Sequence, residues 1–89
     1  MRVIKIGAEW CAGCIVMRPI WKEVEEEAPW LKTEYFDYDQ NQAEVEKYEV
    51  NDILPTFIFL DKENHEIMRI TGERTKDEIM ELIEEHKDK

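Results

Sequence analysis

The sequence predicts an α/β fold in which one four-stranded mixed sheet carries three helices on its two faces, in the order βαβαββα. Three observations predict it: short runs of β-branched and aromatic residues, stretches where apolar residues recur at helical spacing, and turn-forming residues between them. With 89 residues, 43% of them apolar, the chain has the size and composition of one globular domain. We expect that domain to comprise residues 1–89.

The first half of the chain predicts a strand, a long helix and a second strand. The first strand covers Met1 to Gly7 and the helix covers Ala12 to Ala28. Apolar residues recur along the helix at a spacing of four, at Val16, Ile20 and Val24, and Met17 and Trp21 lie alongside them. Pro19 should kink this helix, because it lacks an amide donor and crowds the preceding turn. The aromatic-rich segment from Lys32 to Tyr38 predicts a second strand, parallel to the first through a right-handed crossover.

The second half predicts a short helix, a hairpin and a final helix. Asn41 can cap the short helix. The nearly unbroken apolar run from Pro55 to Leu60 predicts a central strand, and a turn at Asp61 to Asn64 leads into an antiparallel fourth strand that ends at Gly72. The last helix opens on Thr75-Lys76-Asp77-Glu78, which matches a capping box. One face of this helix carries Ile79, Leu82, Ile83 and His86.

The formal net charge is -10, from 12 basic and 22 acidic residues. Such a surface repels phosphate backbones, so we expect no nucleic-acid partner. The apolar stretch from Val3 to Ile6 is too short for a signal peptide or a membrane span, so we expect no membrane association and a cytoplasmic location. Thiols are kept reduced there, and a close cysteine pair is then catalytic or metal-binding rather than a structural staple.

The two cysteines, Cys11 and Cys14, fall at the start of the first predicted helix. Side chains three residues apart on a helix have Cβ atoms roughly 5–6 Å apart, and a tightened first turn can bring them to the roughly 3.5–4.5 Å of a disulfide. Free amides and the helix dipole stabilise a thiolate on Cys11, which lowers its pKa below the ordinary value of about 8.5. We therefore expect Cys11, the more exposed, to attack a disulfide and the buried Cys14 to resolve the mixed disulfide.

A metal site and a pair of inert thiols are the alternatives at these two positions. His65 and His86 lie far from the cysteines along the chain and are not spaced like a zinc site, so we expect no metal. A bond that closes only four residues contributes about 2 kcal/mol in the chain-entropy model, which argues against a structural disulfide.

The motifs occur in an order that resembles the thioredoxin family over nearly the whole chain. The matching segments are Ala8-Glu9-Trp10-Cys11-Ala12-Gly13-Cys14, Pro19, Asp39-Gln40-Asn41, Leu54-Pro55-Thr56 and Gly72. The resemblance implies an enzyme that reduces protein disulfides by dithiol exchange and uses no cofactor beyond its own redox-active Cys11–Cys14 disulfide. It also implies disulfide-bearing protein substrates and a thioredoxin-reductase-like electron donor, and we expect a monomer.

The resemblance further implies where substrates bind. Pro55 should follow a cis peptide bond and lie beside the cysteines, and the backbone of Leu54 should pair with an extended substrate strand. Trp10 should shield the disulfide and offer a flat apolar contact, with plain core packing as its alternative role. The other residues expected to contact substrate are Ala12, Gly13 and Gly72.

The sequence also departs from the family pattern. The family's first strand and helix are missing, as in a minimal, glutaredoxin-sized member, so the segment 32–38 becomes an edge strand. The charged residues that guard this edge against pairing are Lys32, Glu34 and Asp37. Ala12-Gly13 replaces the usual Gly-Pro, which loosens the turn and should shift the redox potential.

Lys5 stands where the family has a buried aspartate. A buried lysine is costly unless it is paired or extends to solvent. We therefore expect the usual carboxylate help in deprotonating Cys14 to be absent or to come from elsewhere, for example from Glu9.

Two other functions remain open at the level of sequence. A glutathione-linked, glutaredoxin-like enzyme suits the length, but Trp10 before the first cysteine and the lone Gly72 disfavour it. The other is a thioredoxin-fold module that docks a partner or relays electrons with little general reductase activity, because a fold does not fix a function.

Overall fold

The computed structural model describes residues 1–88, which form a four-stranded sheet and three helices. Lys89, the last residue of the predicted domain, lies outside the described residues. The elements in chain order are β1 (Arg2–Gly7), α1 (Ala12–Glu27), β2 (Lys32–Asp37), α2 (Gln42–Lys47), β3 (Thr56–Leu60), β4 (Glu66–Thr71) and α3 (Lys76–His86). The predicted order βαβαββα is confirmed.

The strands are arranged β2-β1-β3-β4. β1 runs parallel to β2 and antiparallel to β3, and β3 pairs with β4 as an antiparallel hairpin. All residues of β3 are buried, because helices cover both faces of the sheet at its centre, and this explains the unbroken apolar run in its sequence. The mixed sheet predicted from the sequence is therefore confirmed.

β2 lies at one edge of the sheet, as predicted. Lys32 and Glu34 are exposed on it, and Glu34 forms an ion pair with Arg2 of β1. Asp37 is only half-buried, and its carboxylate accepts the backbone amides of Asp39 and Gln40. Asp37 therefore stabilises the turn after β2 and also places a negative charge on the edge strand.

The alternation of side chains along β1 and β3 divides the core into two layers. On one face, strand residues pack against α1 and α3; this layer includes Val3, Phe57, Phe59, Met17, Trp21, Val24, Ile79 and Ile83. On the other face they pack against α2 and the segment after it; this layer includes Ile4, Ile6, Ile58, Leu60 and Val50.

The buried face of α1 differs in part from the predicted one. Its buried residues are Cys14, Met17, Trp21 and Val24. Met17, Trp21 and Val24 are buried as predicted. Val16 is exposed and Ile20 only partly buried, so the expected spacing of four was wrong at these two positions. The observed spacing alternates between three and four residues, which keeps a stripe on one side of a helix with 3.6 residues per turn.

Two predicted helix starts have different outcomes. Thr75 and Glu78 form the predicted capping box at α3. Asn41 occupies the N-cap position of α2 but makes no cap hydrogen bond there. Its side-chain oxygen instead accepts the backbone amide of Asp37, 2.8 Å away, and so closes the turn after β2.

Within residues 1–88, no helix combines the length and the apolar character that crossing a membrane requires.

Candidate active site

The site begins where β1 ends and the chain turns into α1. Cys11 is the N-cap residue of this helix, in an extended backbone conformation, and its sulfur accepts the backbone amide of Cys14 at 3.1 Å. The two cysteines form a disulfide with their Cα atoms 5.3 Å apart. No acidic residue occupies the first turn of α1. A negative charge on the Cys11 sulfur would therefore be stabilised by an amide donor and by the positive end of the helix. It would not be repelled by an acidic side chain in the first turn of the helix.

The two cysteines are equally buried, with 6% of Cys11 and 7% of Cys14 exposed. The expectation that Cys11 is the more exposed one is therefore wrong. Cys11 packs in a small apolar cluster with the buried Ala8 and with Tyr38 and Leu54 at its border. These neighbours come from three segments of the chain, so the order of the cysteines along α1 does not reveal how much of each is covered.

Three segments converge on the disulfide loop. The Leu54–Pro55 peptide bond is cis, as the resemblance implied. A Cβ atom placed on Gly13 would lie 3.2 Å from the Pro55 Cδ and 3.4 Å from the Glu73 Cγ. Gly72 donates its backbone amide to the Pro55 carbonyl at 2.9 Å. Gly13, Pro55 and Gly72 are therefore brought together, and glycine at position 13 is what permits the close approach.

Trp10 lies at the surface, with 59% of it exposed, so the alternative of plain core packing is wrong. Its indole nitrogen donates to the Asp39 carboxylate at 2.7 Å, and its ring meets the Tyr38 ring edge-on, with centroids 6.3 Å apart. These two contacts hold an exposed aromatic face next to the disulfide. Ala12 is exposed beside it, and Leu54 is half-buried.

Sequence reasoning missed three residues of this region: Tyr38, Asp39 and Ile53. Tyr38 and Asp39 directly follow β2, and the backbone amide of Tyr38 donates to the Gly7 carbonyl at 2.7 Å. Parallel strands end at the same edge of a sheet, and this rule could have placed the residues after β2 beside the cysteines. Ile53 is exposed next to Leu54. The only sequence signal for it was its position beside Leu54, which the family resemblance had assigned to substrate binding.

Lys5 is partly buried, and its ammonium group is paired. Its Nζ lies 2.8 Å from the Glu25 carboxylate and 5.6 Å from the centroid of the Trp21 ring, and 17% of its side chain is exposed. It lines a cavity of about 270 Å³ that Cys14 also borders. Glu9 is exposed and does not line this cavity, so the structure does not place it as a base for Cys14.

Within the part of the chain that the structure describes, no group of three or more His, Cys, Asp or Glu side chains is arranged to hold a metal ion. His65 lies near Asp61 and Glu63 in the β3–β4 turn, and His86 is hydrogen-bonded to the Leu82 carbonyl on α3. Within residues 1–88, no hydrogen bond or ion pair joins either histidine to a cysteine.

Comparisons with known proteins agree on one family. A family model described as thioredoxin matches residues 1–85. A thioredoxin of Chlamydia pneumoniae is 35% identical over 84 residues, which cover 94% of this chain and 80% of the relative. A thioredoxin of Chlamydia trachomatis is 33% identical over the same shares of both chains. Among solved structures, a thioredoxin from Fasciola hepatica has a TM-score of 0.86 at 30% identity, covering 96% of this chain and 79% of its own.

Proposed function

Because the chain belongs to the thioredoxin family and is a thiol–disulfide oxidoreductase of protein disulfides, we propose that Cys11 is its attacking thiolate and Cys14 its resolving thiol. The observation that carries the proposal is the position of Cys11. Its sulfur caps α1, accepts the Cys14 amide and is bonded to the Cys14 sulfur. The comparisons do not favour the glutaredoxin-like enzyme or the docking module as alternatives.

In the first step, the Cys11 thiolate attacks one sulfur of a substrate disulfide. A new bond forms between the Cys11 sulfur and that sulfur, the substrate disulfide breaks, and the second substrate sulfur leaves as a thiolate that takes up a proton. The amide of Cys14 and the positive end of α1 favour the charged form of Cys11, which supports its role as the attacking group.

In the second step, Cys14 loses its proton and attacks the Cys11 sulfur. The Cys11–Cys14 disulfide forms, the bond to the substrate breaks, and the substrate leaves fully reduced. The 5.3 Å between the two Cα atoms lies within the range that a disulfide requires. The pair therefore passes two electrons to the substrate without a large backbone rearrangement.

The substrate-binding surface consists of residues around the disulfide: Trp10, Ala12, Gly13, Leu54, Pro55 and Gly72. Among residues 1–88, the backbone amide and carbonyl of Leu54 take part in no backbone hydrogen bond. Both groups are available to an extended peptide that pairs with this segment. The exposed Trp10 ring, directly before Cys11, offers an apolar contact.

The oxidised pair needs a source of two electrons to return to the dithiol. We assign this role to a thioredoxin-reductase-like protein, on the basis of the family. The step uses only the two sulfurs of the chain, so the proposed cycle includes no metal and no organic cofactor within the fold. A monomer of one domain, working in the cytoplasm, is sufficient for it.

The test is reduction of insulin disulfides with dithiothreitol as the electron source. We predict that the wild-type chain accelerates the reaction, that Cys11→Ser abolishes the acceleration, and that Cys14→Ser retains the substrate as a mixed disulfide on Cys11, visible by mass spectrometry. Lys62→Ala, in the exposed β3–β4 turn, is the control and should match wild type. No acceleration by wild type, or a mixed disulfide on Cys14 in place of Cys11, would contradict the assigned roles.

A further inference from the structure

Behind Cys14, on the side of the sheet that α1 covers, lies the cavity of about 270 Å³. It is bordered by Lys5 and Gly7 of β1, Cys14 and Trp21 of α1, and Tyr35 of β2. The attack by Cys11 does not involve this space. The cavity adjoins the sulfur that must lose a proton in the second step, so the groups along its wall bear on that step.

Gly7 brings the Cys14 sulfur and the Tyr35 hydroxyl close to one point. A Cβ atom on Gly7 would lie 3.0 Å from the Cys14 Sγ and 3.1 Å from the Tyr35 hydroxyl oxygen. The sulfur and the oxygen are therefore at most about 6 Å apart. A side chain at position 7 would crowd both atoms. A single water bridges two polar groups across about this distance, since each of its hydrogen bonds spans roughly 3 Å.

The cavity also contains polar groups that would hold such a water. The indole nitrogen of Trp21 is buried and, within residues 1–88, has no hydrogen-bond partner. Trp21, Tyr35 and Lys5 all border the cavity, and a buried site retains water where two or more polar groups can bind it. A donor that lacks a protein acceptor at the wall of a cavity is most simply satisfied by water inside it.

Burial, followed by nearby carboxylates, favours the neutral form of the Tyr35 hydroxyl. Burial and the nearby Asp37 raise its pKa above the usual 10.0, Glu9 also raises it, and Arg18 of α1 opposes them. Among residues 1–88, the charged side chains that border the cavity are those of Arg18 and Lys5. Lys5 is paired with Glu25 of α1. Tyr35 is 51% exposed, so one side of its ring reaches solvent while the hydroxyl lies near Gly7.

We propose that Tyr35 is a positioning residue for the second step, whose hydroxyl relays the proton of the Cys14 thiol through water in the cavity to solvent. This inference rests on the proposed function. The proton leaves Cys14, the resulting thiolate attacks the Cys11 sulfur, and the substrate sulfur departs with the electron pair and is protonated by solvent. A neutral hydroxyl donates one proton as it accepts another, so the tyrosine ends each step unchanged.

The relay also accounts for the missing carboxylate. Among the described residues that border the cavity, none is aspartate or glutamate. Lys5 stands where the resemblance expects an acid, and Glu9 does not border the cavity. In the proposed relay, the Tyr35 hydroxyl passes the Cys14 proton to solvent, a step in which a carboxylate would instead act as the base.

A probe that separates the two steps is the aromatic disulfide 5,5′-dithiobis(2-nitrobenzoic acid), which releases one coloured thiolate when Cys11 attacks and a second when Cys14 resolves. We predict that Tyr35→Phe leaves the first release unchanged and slows the second by about tenfold near pH 7. At high pH, hydroxide removes the proton without the relay, so the second release should approach the wild-type rate. Tyr48→Phe, on the far side of the sheet, is the control and should match wild type throughout.

Gly7→Ala provides a second variant, because its methyl group would crowd both the Cys14 sulfur and the Tyr35 hydroxyl. It should show the same loss near pH 7 and the same recovery at high pH. A second release by Tyr35→Phe that matches wild type at every pH, or that is slower by the same factor at every pH, would overturn the relay. Absence of a second release from wild type itself would overturn the proposed function instead.

Discussion

At the scale of single residues, Lys5 shows how the chain accommodates a charge beside its redox site. Its ammonium group is bonded to Glu25 and lies over the ring of Trp21. An unpaired buried charge costs several kcal/mol, whereas an exposed ion pair contributes less than about 1 kcal/mol. The lysine is mostly buried and its partner is only partly so, which places this pair between the two limits.

We predict that Glu25→Gln, which keeps the shape and removes the charge, lowers the free energy of unfolding by about 1–2 kcal/mol. Urea denaturation at pH 7 measures it. Glu26→Gln, on the exposed side of the same helix, is the matched control and should stay within about 0.5 kcal/mol of wild type. Equal stability of the two variants would show that the pair contributes nothing.

The residue scale is also where sequence reasoning reached its limit. The place of Cys11 and Cys14 at the start of α1 follows from a local motif, whereas the cis bond before Pro55 was implied by the family resemblance. The burial of the Cys11 side chain and the short distance between the Tyr35 hydroxyl and the Cys14 sulfur depend on which strands become neighbours and in which register. Such contacts link residues far apart in the chain, and one sequence carries no local signal for them.

At the scale of elements, Arg69 joins β4 to the end of α2. Its guanidinium binds the Glu66 carboxylate at 2.7 and 2.8 Å and the carbonyl of Tyr48 at 2.8 Å. The contact couples an edge strand to a short helix that packs on the opposite side of the sheet centre from α1. Arg69 thereby keeps the end of α2 close to the sheet.

The bond from Arg69 lowers the pKa of Glu66 from its usual 4.5. A lowered pKa in the folded state means that the unfolded chain binds the proton more readily. The stabilisation is complete above about pH 4.5 and is lost as the pH falls through the lowered pKa. We predict that Glu66→Gln is less stable than wild type at pH 7 and that the difference shrinks below pH 4.

Thermal unfolding across this pH range measures the effect. Glu46→Gln, an exposed residue of α2, is the control and should leave the pH profile unchanged. A constant difference between Glu66→Gln and wild type from pH 7 to pH 3 would contradict the role of the ion pair.

The elements themselves were well predicted, because their signals are local. The capping box of α3 and the unbroken apolar run of β3 each lie within a few residues, and both predictions are confirmed. The buried face of α1 was predicted only in part, because Val16 and Met17 are both apolar and only packing decides which of the two faces the sheet. Asn41 failed as a cap because the turn after β2 uses its side chain first.

At the scale of the whole molecule, the sheet order places the ends of β1 and β2 and the start of β3 at one edge, where the cysteines lie. Three segments meet there: the disulfide at the start of α1, the cis-proline segment before β3, and Gly72 after β4. The fold thus supplies a rigid base, and the short loops at its edge carry the chemistry.

The central claim is that the N-terminus of α1 lowers the pKa of the Cys11 thiol and so favours its thiolate. The measurement is the rate of alkylation of Cys11 by iodoacetamide as a function of pH, in the Cys14→Ser variant, which retains the backbone amide that Cys11 accepts. We predict a midpoint at least about one unit below the 8.5 of a free cysteine. A midpoint at or above about 8.5 would contradict it.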